Sequence, residues 1–128
     1  MRHQRHYTLE QANAVRRWVT ERVGWIRDAR SQLVAMGGRA QERIDELDLE
    51  AGGSYPGRDV ARALVELSRA VGELEAVDIV LRDVDQGLVD FPAIRDGEEI
   101  YLCWLLDEED EIRFWHEPEA GFAGRKPL

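Results

Sequence analysis

The sequence feature that most constrains the fold is the Asp96-Gly97 pair, which stands between two runs of alternating apolar residues. Such a pair favours a two-residue type I′ turn, because both central positions of that turn need a positive φ. A turn of this length fixes the register, so that Arg95 faces Glu98 across a β-hairpin. The pattern predicts a core face with three apolar pairs, Ala93 with Ile100, Phe91 with Leu102 and Val89 with Trp104.

The other side of this hairpin, called the second face below, is mixed in character. Its predicted pairs are Pro92 with Tyr101, Asp90 with Cys103 and Leu88 with Leu105. A carboxylate between apolar neighbours needs a partner, because an unpaired charge is costly to bury. We expect Arg125 or Arg113 to supply that partner for Asp90.

A second hairpin is predicted across the charged loop that follows, with Ile112 to His116 as the returning strand. We expect Trp104 to face Phe114 and Leu102 to face His116, because this register keeps Ile112 and Phe114 in the core. A slip of one residue would exchange the two faces of the strand.

Helical patterns occupy the first two thirds of the chain. Thr8 and Gln11 form a capping box, which predicts the start of a long helix. Its apolar residues recur about every 3.5 positions, the coiled-coil period, and Gly37-Gly38 predicts a kink or break. The apolar positions are Ala12, Val15, Val19, Val23, Ile26, Leu33, Met36, Ala40, Ile44 and Leu47. Trp18 and Trp25 lie beside this stripe, one heptad apart.

The segment Ala51–Gly57 is rich in turn formers and predicts a loop into a second helix. A heptad seam there supports an antiparallel helical hairpin over residues 8–82. The seam residues are Val60, Leu64, Leu67, Val71 and Leu74, and Ala61 and Val65 widen the apolar stripe. A β-meander and a glycine-rich tail anchored by Phe122 fill residues 83–128. The prediction is a single α+β domain in which a long antiparallel helical hairpin packs on one face of an antiparallel sheet of three to four strands.

Composition narrows the class of protein. Residues 1–82 carry 13 basic and 13 acidic side chains, whereas residues 83–128 carry 4 basic and 13 acidic ones, which gives the net charge of −9. The acidic half argues against a nucleic-acid surface. A single cysteine, Cys103, excludes an internal disulfide and is typical of a reducing compartment, and no apolar run approaches the roughly 18 residues of a membrane span. We therefore expect a soluble cytoplasmic protein without membrane contact.

Several motifs resemble a bacterial family known as domain of unknown function 2203. They are Gly87 to Ala93, Asp96-Gly97, Tyr101 to Trp104, Phe114 to His116, Gly121 to Arg125 with Pro127, and the helix start Thr8 to Asn13. The resemblance covers nearly the whole chain and implies a small soluble bacterial protein. It carries over no activity and no catalytic residue.

Candidate chemistry in the sequence is sparse. His3 and His6 provide too few ligands for a metal site, and Gly121 to Lys126 lacks the phosphate-loop pattern. A Cys103–His116 nucleophilic dyad is not expected, because the predicted register separates the two residues onto opposite faces. We therefore predict no catalytic residues, no metal and no cofactor.

Two functions remain open from the sequence. The first is a non-catalytic interaction module that forms a homodimer or binds another protein; it is supported by the two seams, the paired tryptophans and the opposed charges of the two halves. The alternative is a small-molecule or metal-binding protein, with hydrolysis as one activity it could have, whose site lies on the second face. That site would comprise Asp90, Tyr101, Arg113, Trp115, Glu117 and Arg125.

Overall fold

The structure is a computed structural model that describes residues 1–46 and 57–128, and side chains for all of these except residues 38–46. The helices are α1 (Leu9–Ala14), α2 (Arg16–Glu46) and α3 (Gly57–Ala76). The strands are β1 (Val80–Asp83), β2 (Leu88–Arg95), β3 (Glu98–Leu105), β4 (Phe114–His116) and β5 (Lys126–Pro127). The predicted α+β class is confirmed, but the sheet has five antiparallel strands in the order β1-β2-β3-β4-β5, not three to four.

The main hairpin has the predicted register over its whole length. Arg95 faces Glu98, and the pairing continues without a shift to Leu88 opposite Leu105. Asp96 and Gly97 both have positive φ, at 52° and 79°, as a type I′ turn requires. The predicted core residues Phe91, Leu102 and Trp104 pack with the helices in one buried cluster.

The second hairpin differs from its prediction by one residue. Cys103 faces Phe114 and Tyr101 faces His116, so Phe114 and His116 lie on the second face. Trp115 faces Leu102 and packs against the core cluster. The reason lies in Ile112, which is buried in that cluster although it precedes β4. Ile112 satisfies the core from the loop, and Phe114 is then free to face the other way.

The tail is more regular than its glycines and prolines suggest. A 3₁₀ turn covers Phe122–Gly124, and β5 adds a two-residue strand beside β4. Pro127 cannot donate to the ladder, but the N–H of Leu128 donates to the carbonyl of Arg113 at 2.9 Å. The edge of β4 is thereby paired.

The N-terminal helix begins as predicted and then breaks at an unexpected place. Both hydrogen bonds of the Thr8–Gln11 capping box are present. Val15 interrupts the helix, and the Arg16 guanidinium donates to the Asn13 carbonyl at this break. By contrast, α2 continues without a break through Gly37-Gly38.

The helices α2 and α3 pack side by side and run antiparallel. Arg22 pairs with Glu73 at 3.3 Å, whereas Gln32, further along α2, shares a groove with the earlier residue Glu66. The connecting loop predicted at 51–57 lies outside the described residues, apart from Gly57, the first residue of α3. The predicted positions Ala40, Ile44 and Leu47 are likewise without described side chains.

The buried stripe of α3 is narrower than predicted. It runs through Ala63, Ala70 and Leu74, while Leu64 and Val65 are exposed. In α2 the buried positions are Val19, Val23, Ile26 and Ala29. None of the helices in the described ranges is long and apolar enough to cross a membrane.

Phe91 tests the core face of the hairpin. It is fully buried, so Phe91→Ala is expected to lower the free energy of unfolding by about 3–5 kcal/mol. Phe122→Ala is the matched control, because its side chain is 46% exposed and lies outside the core cluster; we expect a loss below about 1 kcal/mol. Urea denaturation measures both, and equal losses would contradict the assigned faces.

Candidate functional site

Three buried polar side chains from three strands meet on the second face. Asp90 of β2, Cys103 of β3 and His116 of β4 are each at most 1% exposed. One potential ligand atom from each lies within 4.8 Å of the other two. The strand register brings them together, because Asp90 faces Cys103 directly and β4 places His116 next to that pair. We call these three residues the buried triad.

Asp90 is unevenly partnered. Its Oδ2 accepts a hydrogen bond from Nε of Arg82 at 2.9 Å and lies 3.0 Å from Nε2 of His116. Its Oδ1 is buried and has no hydrogen-bond partner among the residues that the structure describes. The prediction that Arg113 or Arg125 pairs with Asp90 is wrong. The arginine that pairs with Asp90 is Arg82, on the neighbouring strand β1.

His116 faces an acceptor at each ring nitrogen. Nδ1 lies 2.7 Å from the carbonyl of Glu117, and Nε2 lies against the Asp90 carboxylate. Burial disfavours the imidazolium, but these two acceptors favour it, and together they raise the pKa of His116. The pair is thus a buried ionic contact when His116 holds both protons.

Cys103 lies beside His116, which corrects the prediction that the two residues occupy opposite faces. Their proximity does not make a nucleophile, however. Burial and the neighbouring Asp90 carboxylate raise the pKa of the Cys103 thiol far above its ordinary value. At neutral pH the thiol therefore stays protonated.

The N-terminal segment is tied to one end of the second face. His3 contacts the Tyr101 hydroxyl at 2.8 Å through Nε2 and Asp78 at 3.2 Å through Nδ1. His6 contacts the Glu99 carboxylate at 2.7 Å, and the Tyr7 N–H donates to the carbonyl of Pro92 beyond the end of β1. We call this segment, residues 3–7, the strap.

Asp78 is held in a conformation that favours glycine. Its φ is 62°, and it follows α3 at the position where a Schellman motif needs a left-handed residue. The N–H of Asp78 donates to Glu75, and that of Ile79 donates to Leu74. Its carboxylate in turn accepts from the backbone N–H of Arg5, so the residue links the helix end to the strap.

The other predicted site residues are dispersed. Arg113 is exposed and pairs with Asp110 and Glu111, and Trp115 lies on the helix side of the sheet. Glu117 accepts a hydrogen bond from Lys126 at 2.7 Å. Of the six, the structure brings Asp90 and Tyr101 to the second face, and Arg125 covers part of it.

Arg125 and Glu109 close the far end of the second face. The Arg125 guanidinium donates to both Glu109 carboxylate oxygens at 2.8 Å and stacks 4.1 Å from the Phe114 ring. Glu109 also accepts from the N–H of Leu105. Cys103 lies on the same face of the sheet and is fully buried.

Sequence reasoning missed Arg82, His3 and the role of His116. Val80 faces Asp90, and Arg82 lies two residues further along the same strand. Because side chains two residues apart lie on the same face of a strand, this alternation could have placed Arg82 beside Asp90. His3 contacts residues 75 and 98 positions away, and no local pattern signals that.

Comparison with known proteins gives a family and nothing finer. Residues 5–128 match the family described as uncharacterized conserved protein, DUF2203. The chain belongs to this family. No curated protein and no solved structure matches it. The predicted resemblance is thereby confirmed over nearly the whole chain.

The lowered pKa of Glu99 predicts that the folded protein loses stability in acid. Burial would raise its pKa, but hydrogen bonds from His6 and from the N–H groups of Arg2 and His3 lower it to about 2, from an ordinary 4.5. A lowered folded-state pKa gives a contribution that is complete above 4.5 and is lost as the pH falls towards 2. Glu99→Gln should therefore flatten the fall of the urea midpoint across that window, whereas Glu98→Gln, at an exposed neighbour, should leave the slope unchanged.

The burial of Cys103 predicts that its thiol is unreactive in the native protein. Because the sulfur is buried and its pKa is raised, reaction with an aromatic disulfide reagent at neutral pH should be slower than in denaturant by a factor of about 10³ or more. Absorbance of the released thiolate measures both rates. Rapid native labelling would show that the second face opens.

Proposed function

We propose that this protein is a non-catalytic interaction module that associates with a second copy of itself through α2 and α3. The observation that carries the proposal is Trp25, whose side chain is 45% exposed although it lies next to the buried Ile26. Tryptophan is enriched at protein interfaces, because it combines a large apolar area with a polar N–H.

The surroundings of Trp25 support a protein contact. The Arg22 guanidinium stacks on both tryptophans, 3.9 Å from the Trp18 ring and 4.8 Å from the Trp25 ring. This stacking holds the indole in place before any partner arrives, which reduces the entropy lost on binding. Beside the indole is a groove of about 360 Å³, lined by Trp25, Asp28, Gln32, Glu66 and Arg69.

A second copy is the occupant that this surface fits best. The groove carries Arg69 as well as the acids Asp28 and Glu66, so it is complementary to itself under a two-fold axis. Each indole would then enter the groove of the other copy.

The helix α2 is long enough to form such a contact. Its 31 residues span about 46 Å at 1.5 Å per residue, longer than any strand of the sheet. Among the α2 side chains that the structure describes, which end at Gly37, the last buried one is Ala29, and Val34 beyond it is 73% exposed. Two helix pairs could thus form a four-helix arrangement along their free length, in the manner of a coiled coil. A cytoplasmic location remains the prediction of the single cysteine.

The alternative of a six-residue ligand site on the second face loses support from the dispersal of Arg113 and Trp115. What remains is the buried triad, which a self-association surface on the helices does not explain.

Sedimentation equilibrium tests the proposal. We expect a dimer at tens of micromolar, and Trp25→Ala should weaken it by at least tenfold, since a central buried indole contributes more than about 1.4 kcal/mol to an interface. Ile94→Ala is the matched control, because Ile94 is also 45% exposed but lies at the hairpin tip. A monomeric wild-type protein at this concentration would overturn the proposal, and equal effects of both variants would move the contact elsewhere.

A further inference from the structure

We infer that the buried triad, Asp90, Cys103 and His116, is a binding site for one divalent transition-metal ion of the zinc class. The three side chains offer a carboxylate oxygen, a thiol sulfur and an imidazole nitrogen. These are the three donor types that Zn²⁺ takes in proteins, and their mixture disfavours Mg²⁺ and Ca²⁺, which prefer oxygen alone.

The first argument is that each ring nitrogen of His116 lies against an oxygen atom that can only accept a hydrogen bond. Its Nδ1 is 2.7 Å from the Glu117 carbonyl, which can only accept, so Nδ1 carries hydrogen. In the neutral ring Nε2 then presents a lone pair to the Asp90 carboxylate 3.0 Å away. Two lone pairs at that distance need a cation between them, either a proton or a metal ion. A ligating histidine commonly donates its other ring N–H to a backbone carbonyl, the arrangement that Glu117 provides.

The second argument is the unpartnered oxygen. Oδ1 of Asp90 is buried without a hydrogen bond, although the other oxygen of the same carboxylate has two partners. A native structure seldom leaves a buried carboxylate oxygen unsatisfied. A metal ion that binds the carboxylate through both oxygens would pair with Oδ1 as well as with Oδ2, the oxygen that lies against His116, and would remove the penalty.

The distances allow coordination after a small contraction. For three atoms within 4.8 Å of one another, the central point lies at most about 2.8 Å from each, against the 2.0–2.3 Å of zinc bonds. A closure of less than 1 Å per ligand therefore completes the site. Because all three residues stand on paired strands, their Cα positions are already fixed.

Charge balance also fits a divalent ion. On binding, the Cys103 thiol and Nε2 of His116 each release a proton to solvent, and the sulfur and the ring nitrogen then form bonds to the metal. The carboxylate and thiolate then supply two negative charges to the divalent ion. The remaining charged groups near the triad are Arg82, which holds the Asp90 carboxylate, and the mutually neutralising pair Arg125 and Glu109.

Zinc and cobalt binding to the full-length chain test the inference. Protein made without an affinity tag in zinc-supplemented medium should retain close to one zinc per chain, and Cys103→Ala or His116→Gln should reduce this to below about a tenth. With Co²⁺ under reducing conditions, the wild-type protein should show the near-ultraviolet band of a cobalt–thiolate bond, and Cys103→Ala should lack it.

His6→Gln is the control variant, because His6 contacts Glu99 outside the triad and its loss should leave the zinc content unchanged. If a triad variant fails to fold, the wild-type cobalt spectrum still decides, since only coordination by the single cysteine produces the thiolate band. Wild-type protein that holds no more zinc than Cys103→Ala, or that binds Co²⁺ without this band, would overturn the inference and leave the triad a buried ion pair. Neither result bears on the helix-mediated dimer.

Discussion

The two-residue turn at Asp96-Gly97 is the constraint on which the rest of the structure depends. A turn with positive φ at both positions allows one register, and that register assigns every residue of β2 and β3 to a face. One face packs Phe91 and Trp104 against α2, while the other carries Asp90 and Cys103. A shift of one residue would bring the carboxylate to the helix side of the sheet, into the apolar core cluster.

The main hairpin and the helix start could be predicted from sequence because each depends on interactions within a few residues. The capping box at Thr8 and the turn at Asp96 are of this kind. The second hairpin could not be predicted to the residue, because its loop is too long to fix a register. The core requires one large residue near the strand start, and either Ile112 or Phe114 could satisfy it. The contact that decides is distant: the N–H of Ile112 donates to the Asn13 side chain at 2.9 Å.

That single decision changes the chemistry of the second face. With Ile112 in the core, Phe114 and His116 lie on the same side as Cys103, and two residues predicted on opposite faces become neighbours. The strap contacts were equally beyond sequence reasoning, because His3 meets Tyr101 across almost the whole chain. Site residues whose partners lie far along the sequence are therefore sensitive to small errors in register, even where the fold class is right.

The polar character of the buried triad needs a reason that packing does not supply. Apolar side chains at these positions would bury as much surface without the cost of desolvating a carboxylate and an imidazole, and replacing a buried ion pair by such residues is often neutral or stabilising. Register does not require the triad either, since the turn at Asp96 already fixes it. The neighbours reinforce the exception: Arg82 holds one carboxylate oxygen, and the Glu117 carbonyl fixes one ring nitrogen. A costly group that two neighbours orient, and whose second oxygen has no hydrogen-bond partner among the described residues, has the features of a binding site, and the Cys103 thiol lies close beside it.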